Sequence, residues 1–569
     1  MNRMAPYFLV AYCLLAGCTS TGDKLAGNEK KLFTLMPADS TQVFFSNTLT
    51  EGLNTNVLLY EYFYNGAGVG IADLNGDGLE DIYFTGNMVP DKLYLNKGNL
   101  KFEDITEAAN IKNRTPLWRT GVTIADVNGD GKPDIYVSYS GKTRGQNRIH
   151  QLFINKGNDA NGIPRFEDEA EQYGLADSSY TTQTFFFDYD RDGDLDMLAL
   201  NHNPDNLPIL DEASTANLLA QSHRSIGIRL YKNEDNHFTD ITEKTGISSS
   251  VLTYGLGAAI ADIDGDGWLD IYIANDYNVP DYLYINNQNG TFTDKIATAL
   301  GHITKSSMGN NIADYNNDGL LDICVLDMLP EDNHRQKVLL ASDNYEKFDL
   351  NVRTGFHYQY MRNMLHLNNG DGTFSEIGQL AGISNTDWSW APLFADFDND
   401  GWKDLYVTNG YTRDFTDMDF LKYKNSEVQS KGRLNREQVL EILKQMPASN
   451  VTNYMYKNDR QLGFINVGAA WGLDVPSNSN GAAYADLDND GDLDLVVNNI
   501  NREAFIYRNE ANKEPGNHYL QVKLKGAGKN TDGLGAKITL YRKGQLQFQE
   551  QMPARGYQST VSPILHFGL

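Results

Sequence analysis

A nine-residue pattern recurs seven times along this 569-residue chain, and no other feature restricts the fold as strongly. Its fourth copy reads Asp262-Ile-Asp-Gly-Asp-Gly-Trp-Leu-Asp270. Side-chain oxygens at positions one, three, five and nine can converge on one hard cation. The glycine-bearing centre turns tightly enough for the carbonyl of position seven to join them. The pattern differs from the twelve-residue EF-hand loop, which ends in a bidentate glutamate and lies between helices. Here the flanks, 258–261 and 271–274, are short β-prone runs.

Position one is Asp73, Asp126, Asp188, Asp262, Asp314, Asp396 and Asp486. Position three is Asn75, Asn128, Asp190, Asp264, Asn316, Asp398 and Asp488. Position five is Asp77, Asp130, Asp192, Asp266, Asp318, Asp400 and Asp490, and position nine is Asp81, Asp134, Asp196, Asp270, Asp322, Asp404 and Asp494. An oxygen-only donor set of this kind predicts up to seven structural Ca²⁺ ions. Asparagine at position three still offers an oxygen, so those three loops are expected to bind, more weakly. These positions hold 25 aspartates and account for much of the formal charge of −27. So acidic a chain lacks the cationic surface that nucleic acid requires, which removes RNA or DNA as a partner.

The repeat is wider than the loop. Each copy follows a strand of small residues and precedes a second strand, such as Ile82-Tyr-Phe-Thr or Leu405-Tyr-Val-Thr. A third follows, ending in asparagine (Leu93-Tyr-Leu-Asn96, Leu283-Tyr-Ile-Asn286, Met455-Tyr-Lys-Asn458), and then a fourth (Lys101-Phe-Glu-Asp104, Thr291-Phe-Thr-Asp294). Four short strands per unit, seven times over, predict an all-β chain folded as a seven-bladed β-propeller with Ca²⁺ loops in its blades. The last unit has no evident fourth strand, and residues 42–47 read as one without a third. The N-terminal strand 42–47 is therefore expected to complete the last blade.

These motifs resemble the FG-GAP/VCBS repeat family, whose integrin-α-type relatives carry Ca²⁺ in blade loops. The resemblance spans the propeller expected over 41–512. From 513 the grammar changes. Asn517-His-Tyr-Leu-Gln-Val-Lys-Leu-Lys-Gly526, Arg555-Gly-Tyr-Gln-Ser559 and Leu565-His-Phe-Gly-Leu569 resemble the start of an ASPIC/UnbV domain, the module that follows such propellers in cartilage-acidic-protein-like and bacterial surface proteins. A partial β domain is expected over 513–569, because the sequence stops where that family continues.

Residues 1–18 have a signal-peptide layout, with an apolar run too short to span a bilayer as a mature helix. Leu15-Ala-Gly-Cys18 resembles a bacterial lipobox, which implies acylation at Cys18, a polar tether over 19–40, and export to a cell envelope, the outer membrane. After processing, Cys324 would be the single remaining thiol, set in an apolar strand, so no disulfide is expected.

Strand parity puts the metal loops and the 3–4 turns on one face. The 2–3 loops and the blade-to-blade connections share the other. Long insertions at 201–228, 327–362 and 410–453 fall on this second face, the last with a helix capped by Asn435. Trp118, Arg119, Tyr180, Tyr254, Asp276, Tyr277, Trp388 and Trp390 also collect there. They are expected to be exposed and to stack on and hydrogen-bond a glycan or protein ligand. There is no nucleophile elbow, phosphate loop or zinc spacing, and the aspartates are accounted for by metal loops. The expectation is a non-enzymatic binding or adhesion module. The alternative is a polysaccharide-processing enzyme with its site in the propeller's central funnel.

Overall fold

The computed structural model describes residues 31–569 apart from 116–117, 143–147, 209, 342–343 and 514–515. Cys18 lies outside the described residues. Seven sets of four antiparallel strands form the blades, six as four-stranded sheets and the first extended to six strands by two short C-terminal strands. The fourth blade is typical: Gly255–Ala261, Asp270–Asn275, Tyr282–Asn286 and Phe292–Asp294 pair in chain order. The first strands of successive blades lie against one another in a closed ring around the axis, with the first blade against the last. The seven-bladed propeller expected from the repeats is the fold observed.

Small residues in the first strands make that ring possible, and large apolar residues between the sheets hold it. Ile82, Phe84, Val122, Ile271, Ile273, Leu405 and Val496 are almost fully buried. Burying side chains of this size contributes roughly 1.5–3 kcal/mol each.

The blades are also laced together by the asparagine that ends every third strand. In all seven blades its backbone N–H donates to the position-nine carboxylate at 2.7–3.0 Å. Its amide donates to the carbonyl of position eight in the same loop. In six of them the amide also reaches the position-two carbonyl of the preceding blade: Asn96 to Leu487, Asn155 to Leu74, Asn286 to Tyr189, Asn368 to Ile263, Asn458 to Tyr315 and Asn509 to Phe397. The repeating Asn was visible in the sequence. Its part as a clasp between neighbours was not.

The last blade closes on an N-terminal strand, but not on 42–47. Phe33–Leu35 pairs with Phe505–Asn509, Phe33 opposite Asn509. Residues 46 and 47 make only isolated bridges, to Glu503 and Ile500. Phe33–Leu35 and most of the helical turn Ala38–Thr41 thus fold within the span expected as a tether over 19–40, and the run 42–47 was the weaker candidate because its partners are single residues.

The C-terminal stretch is not a separate body. Tyr519–Val522 pairs with Leu565–Gly568, and Lys537–Arg542 with Gln545–Glu550, forming two ribbons across the metal-loop face. From there residues 553–561 enter the central channel. Thr560 pairs with Gly70 of the first blade, and Gly556 bridges Asn310 of the fifth. Val122 N–H donates to the Gln558 carbonyl at 3.0 Å, the Gln183 amide to the Ser559 carbonyl at 2.9 Å, and Tyr557 packs on Trp390 at 5.0 Å. A Cβ on Gly68 would lie 1.7 Å from the Gln558 carbonyl oxygen, so glycine there is what admits the loop.

The lacing makes a quantitative prediction. Asn286→Ala strands the Tyr189 and Leu269 carbonyls and the Gln288 N–H. The expected loss is about 2–4 kcal/mol, from one to three kcal/mol per buried orphan with partial relaxation. Equilibrium urea unfolding measures it, and a loss below about 0.5 kcal/mol would mean the clasp is ornamental.

Candidate functional site

Each metal loop hangs between the first and second strands of its blade, so its ends are fixed by β pairing: Ala261 lies opposite Asp270. Inside, position six is glycine in all seven copies, with φ between 83° and 93°. Its N–H donates to one oxygen of the position-one carboxylate in every loop. That bond and the position-nine clasp shape the cradle from both ends.

The cradle fits a hard cation. Asp188, Asp190 and Asp196 bring carboxylate oxygens within 4.8 Å of one another, as do Asp262, Asp264 and Asp270, then Asp396, Asp398 and Asp404, and Asp486, Asp488 and Asp490. Buried oxygens in these sets have no hydrogen-bond partner: Oδ1 of Asp190, Asp262, Asp398 and Asp488. Oδ2 of Asp322 in the fifth loop shares that state. A buried carboxylate oxygen facing other carboxylates is strongly unfavourable without a counter-charge. Ca²⁺ held by these oxygens would supply it. In the first, second and fifth loops Asn75, Asn128 and Asn316 would give an amide oxygen at position three.

The metal-loop face is also the seat of the C-terminal ribbons. Thr531 donates to Asp126 Oδ2 at 2.6 Å, Gln521 to Asp486 Oδ2 at 2.8 Å, and Lys537 pairs with Asp262 Oδ2. These are position-one carboxylates, and in Asp262 the other oxygen is the orphan that faces the cradle. The ribbon thus docks on the same oxygen that accepts the position-six glycine N–H of the loop.

On the opposite face the channel is stopped by the turn Glu61–Tyr64. The expected ligand aromatics gather around this turn and the C-terminal loop rather than facing solvent. Trp118 packs on Tyr60 and Phe63, at 5.4 and 5.5 Å. Tyr254 is fully buried against Tyr277, which in turn meets Tyr62 at 5.8 Å and donates through its hydroxyl to Glu61. Trp388 stacks on Tyr411 at 4.0 Å, and Trp390 is buried on Tyr557 with its indole N–H on the Gly410 carbonyl. Arg119 is fully buried and paired with Asp91. Asp276 is buried, and that burial pushes its carboxyl up to about 6. Tyr180 is half-buried beneath the Arg148 guanidinium, 3.6 Å away. The expectation of an exposed aromatic set is corrected for these residues. Aromatic loops signal a surface to be covered, and here the chain's own turn and tail cover it.

Exposed aromatics do occur on this face, in the fifth-blade insertion that sequence reading marked only by length. Tyr345 is 78% exposed, Tyr358 46% and Tyr360 41%, with Phe348 between them and Arg362 over the Tyr360 ring at 5.2 Å. The insertions join as one crown. Arg335 bonds Asp387 and Asp414, Arg353 pairs with Glu212, and Tyr454 bonds Glu331. The crown's longest helix, Met418–Lys431, escaped the sequence reading because it buries only Phe420 and shows little periodicity.

A model described as FG-GAP-like repeat matches residues 73–137, 217–273, 262–325 and 347–407, and one described as ASPIC and UnbV matches 526–569. The propeller thus carries FG-GAP-like repeats, and the C-terminal stretch an ASPIC and UnbV segment. Cartilage acidic protein 1 of Mus musculus is 23% identical over 525 residues, covering 88% of this chain and 68% of that protein. The Homo sapiens protein of the same name is 22% identical over 88% of this chain and 66% of its own length. Among solved structures, an Agrocybe aegerita lectin aligns over 76% of this chain and 88% of its own, at 15% identity and a TM-score of 0.35. A score that low carries no argument about ligands. The third and seventh loops lie outside the matched repeats, yet make the same position-six glycine bond and position-nine asparagine bond as the rest.

Burial pushes the position-nine carboxyls up, to about 8 for Asp134, Asp196, Asp270 and Asp322, against the opposing N–H bonds. Without metal these groups favour the protonated form when folded. Ionising them therefore costs stability progressively as pH rises from about 4 to about 8. A cation in the cradle reverses that preference. The rise in Tm on adding Ca²⁺ should be small at pH 5 and largest near pH 8. Melts in Ca²⁺ and in EDTA across that range test it, and a rise that is absent or independent of pH would contradict the metal cradle.

Proposed function

We propose that this chain is a calcium-stabilised, non-enzymatic binding module, lipid-anchored through Cys18 in a bacterial outer membrane. It takes a glycan or protein ligand on the crown, the face opposite the metal loops. The observation that supports this most is the occupied channel. Residues 553–561 fill the axis, the turn Glu61–Tyr64 stops one end, and the C-terminal ribbons cover the other. Such a channel offers a substrate no funnel, which weighs against the polysaccharide-processing alternative. The crown, by contrast, is a surface of insertions joined by ion pairs on a rigid scaffold, with Tyr345, Tyr358 and Tyr360 facing solvent. Among the described residues no helix is long and apolar enough to cross a membrane, and the proposed anchoring rests on the lipobox alone.

A panel of polysaccharides and envelope proteins separates the two readings. Binding should appear without new reducing ends or unsaturated products. The double variant Y358A/Y360A should weaken that binding at least about tenfold with Tm unchanged, as expected for solvent-facing aromatic anchors. Trp388→Ala should instead lower Tm. Turnover of any glycan, abolished by substitutions in the channel, would overturn the binding-module reading.

A further inference from the structure

The seven loops differ in one respect that their shared geometry makes readable, the charge of position three. Where position three is asparagine, in the first, second and fifth loops, the residue before the third-strand asparagine is apolar: Leu95, Ile154 and Leu367. Where position three is aspartate in the third, sixth and seventh loops, that residue is a cation: Lys232, Lys457 and Arg508. Each cation lies on the position-three and position-five carboxylates of its own loop. Lys232 pairs with Asp190 and lies 3.2 Å from Asp192, Lys457 pairs with Asp398 and lies 3.1 Å from Asp400, and Arg508 lies 3.3 Å from Asp488 and 3.8 Å from Asp490.

The oxygens involved say how the arrangement works. In all three loops the cation takes Oδ2 of position three, while Oδ1 is buried and unpartnered, and each of these aspartates has a carboxylate oxygen within 4.8 Å of those of its neighbours in the loop. In the second loop Lys132 pairs with Asp130 Oδ2 at 2.8 Å; in the first and fifth the asparagine side chain does both jobs by itself. Asn75 and Asn316 donate through Nδ2 to Oδ2 of Asp77 and Asp318, at 2.9 and 2.8 Å. The fourth loop has Ile285 before its asparagine and substitutes Gln288, which donates to Asp266 Oδ2 at 2.7 Å, and Lys537 from the C-terminal ribbon on Asp262.

We propose that Lys232, Lys457 and Arg508 are charge-balancing positioning residues of the metal loops. Each offsets the additional carboxylate of an aspartate loop and, by taking one of its oxygens, leaves the other for the cradle. The inference rests on the calcium reading of the loops and deepens it. Its consequence is specific: in the metal-free loop the ammonium group substitutes for part of what Ca²⁺ does, and in the loaded loop it is nearly redundant.

The test uses the full chain, melted in Ca²⁺ and in EDTA. Lys457→Met should lower Tm in EDTA by about 1 °C or more, a shift of the size one lost kcal/mol gives a cooperative unit of this length. In saturating Ca²⁺ the loss should be less than half of that, so the calcium-induced increment grows. Lys457→Arg should keep the wild-type increment. The double variant D398N/K457L, which copies the Asn–Leu pairing of the first and fifth loops, should return to it. Equal losses in Ca²⁺ and EDTA, or a double variant whose increment matches Lys457→Met, would overturn the balancing role. A wild-type Tm that ignores Ca²⁺ would instead overturn the calcium reading beneath it.

Discussion

A closed ring of strands leaves a row of backbone groups and a column of space along its axis, and something has to occupy both. Water or a ligand serves in an open funnel. Here residues 553–561 serve: the Gln558 carbonyl accepts from Val122, Thr560 Oγ1 donates to the Val122 carbonyl at 3.0 Å, and Ser559 Oγ accepts from Val69 N–H. The arrangement depends on close approach. Gly68 and Gly481 stand where a Cβ would collide with Gln558 and Ser559. The small residues of the first strands are thus an accommodation to the chain's own tail as much as to the crowding of seven blades.

The metal loops extend this dependence outward. A position-one carboxylate such as Asp262 turns one oxygen to the cradle and the other to Lys537 of the docked ribbon. Through Asp270 the same loop reaches the third strand, and through Asn286 it reaches the preceding blade. Loop, neighbour and C-terminal dock therefore share donors and acceptors, and disturbing one leaves buried polar groups unpaired in the others. A structural cation held there would stabilise blade closure and the seat of the plug together.

Much of this was legible in the sequence, and the misses have physical causes. Seven copies of one loop, with strands at fixed offsets, specify seven blades, because nothing else reconciles seven equal units with four strands each. The cradles were legible because oxygen donors at fixed spacing state their chemistry locally. The closing strand was misplaced because Phe33-Thr-Leu35 is three residues long, and its identity depends on Phe505–Asn509, more than 470 residues away. The aromatics were misread for the same reason. Nothing near Trp118 or Trp390 says whether its face meets solvent, Tyr60 or Tyr557. Local pattern reveals that a surface is sticky, and only the fold reveals what covers it. Residues 555–559 gave no hint of threading, since their partners are spread over the first strands of several blades.

Hydrogen exchange on the full chain tests the filled channel most directly. Amides at 554–561 should exchange as slowly as those of the first strands, such as Val122 and Ala258, and far more slowly than the exposed 2–3 connections. Fast exchange at 554–561 beside protected first strands would show an open channel, and would contradict an account in which the chain's own tail fills it.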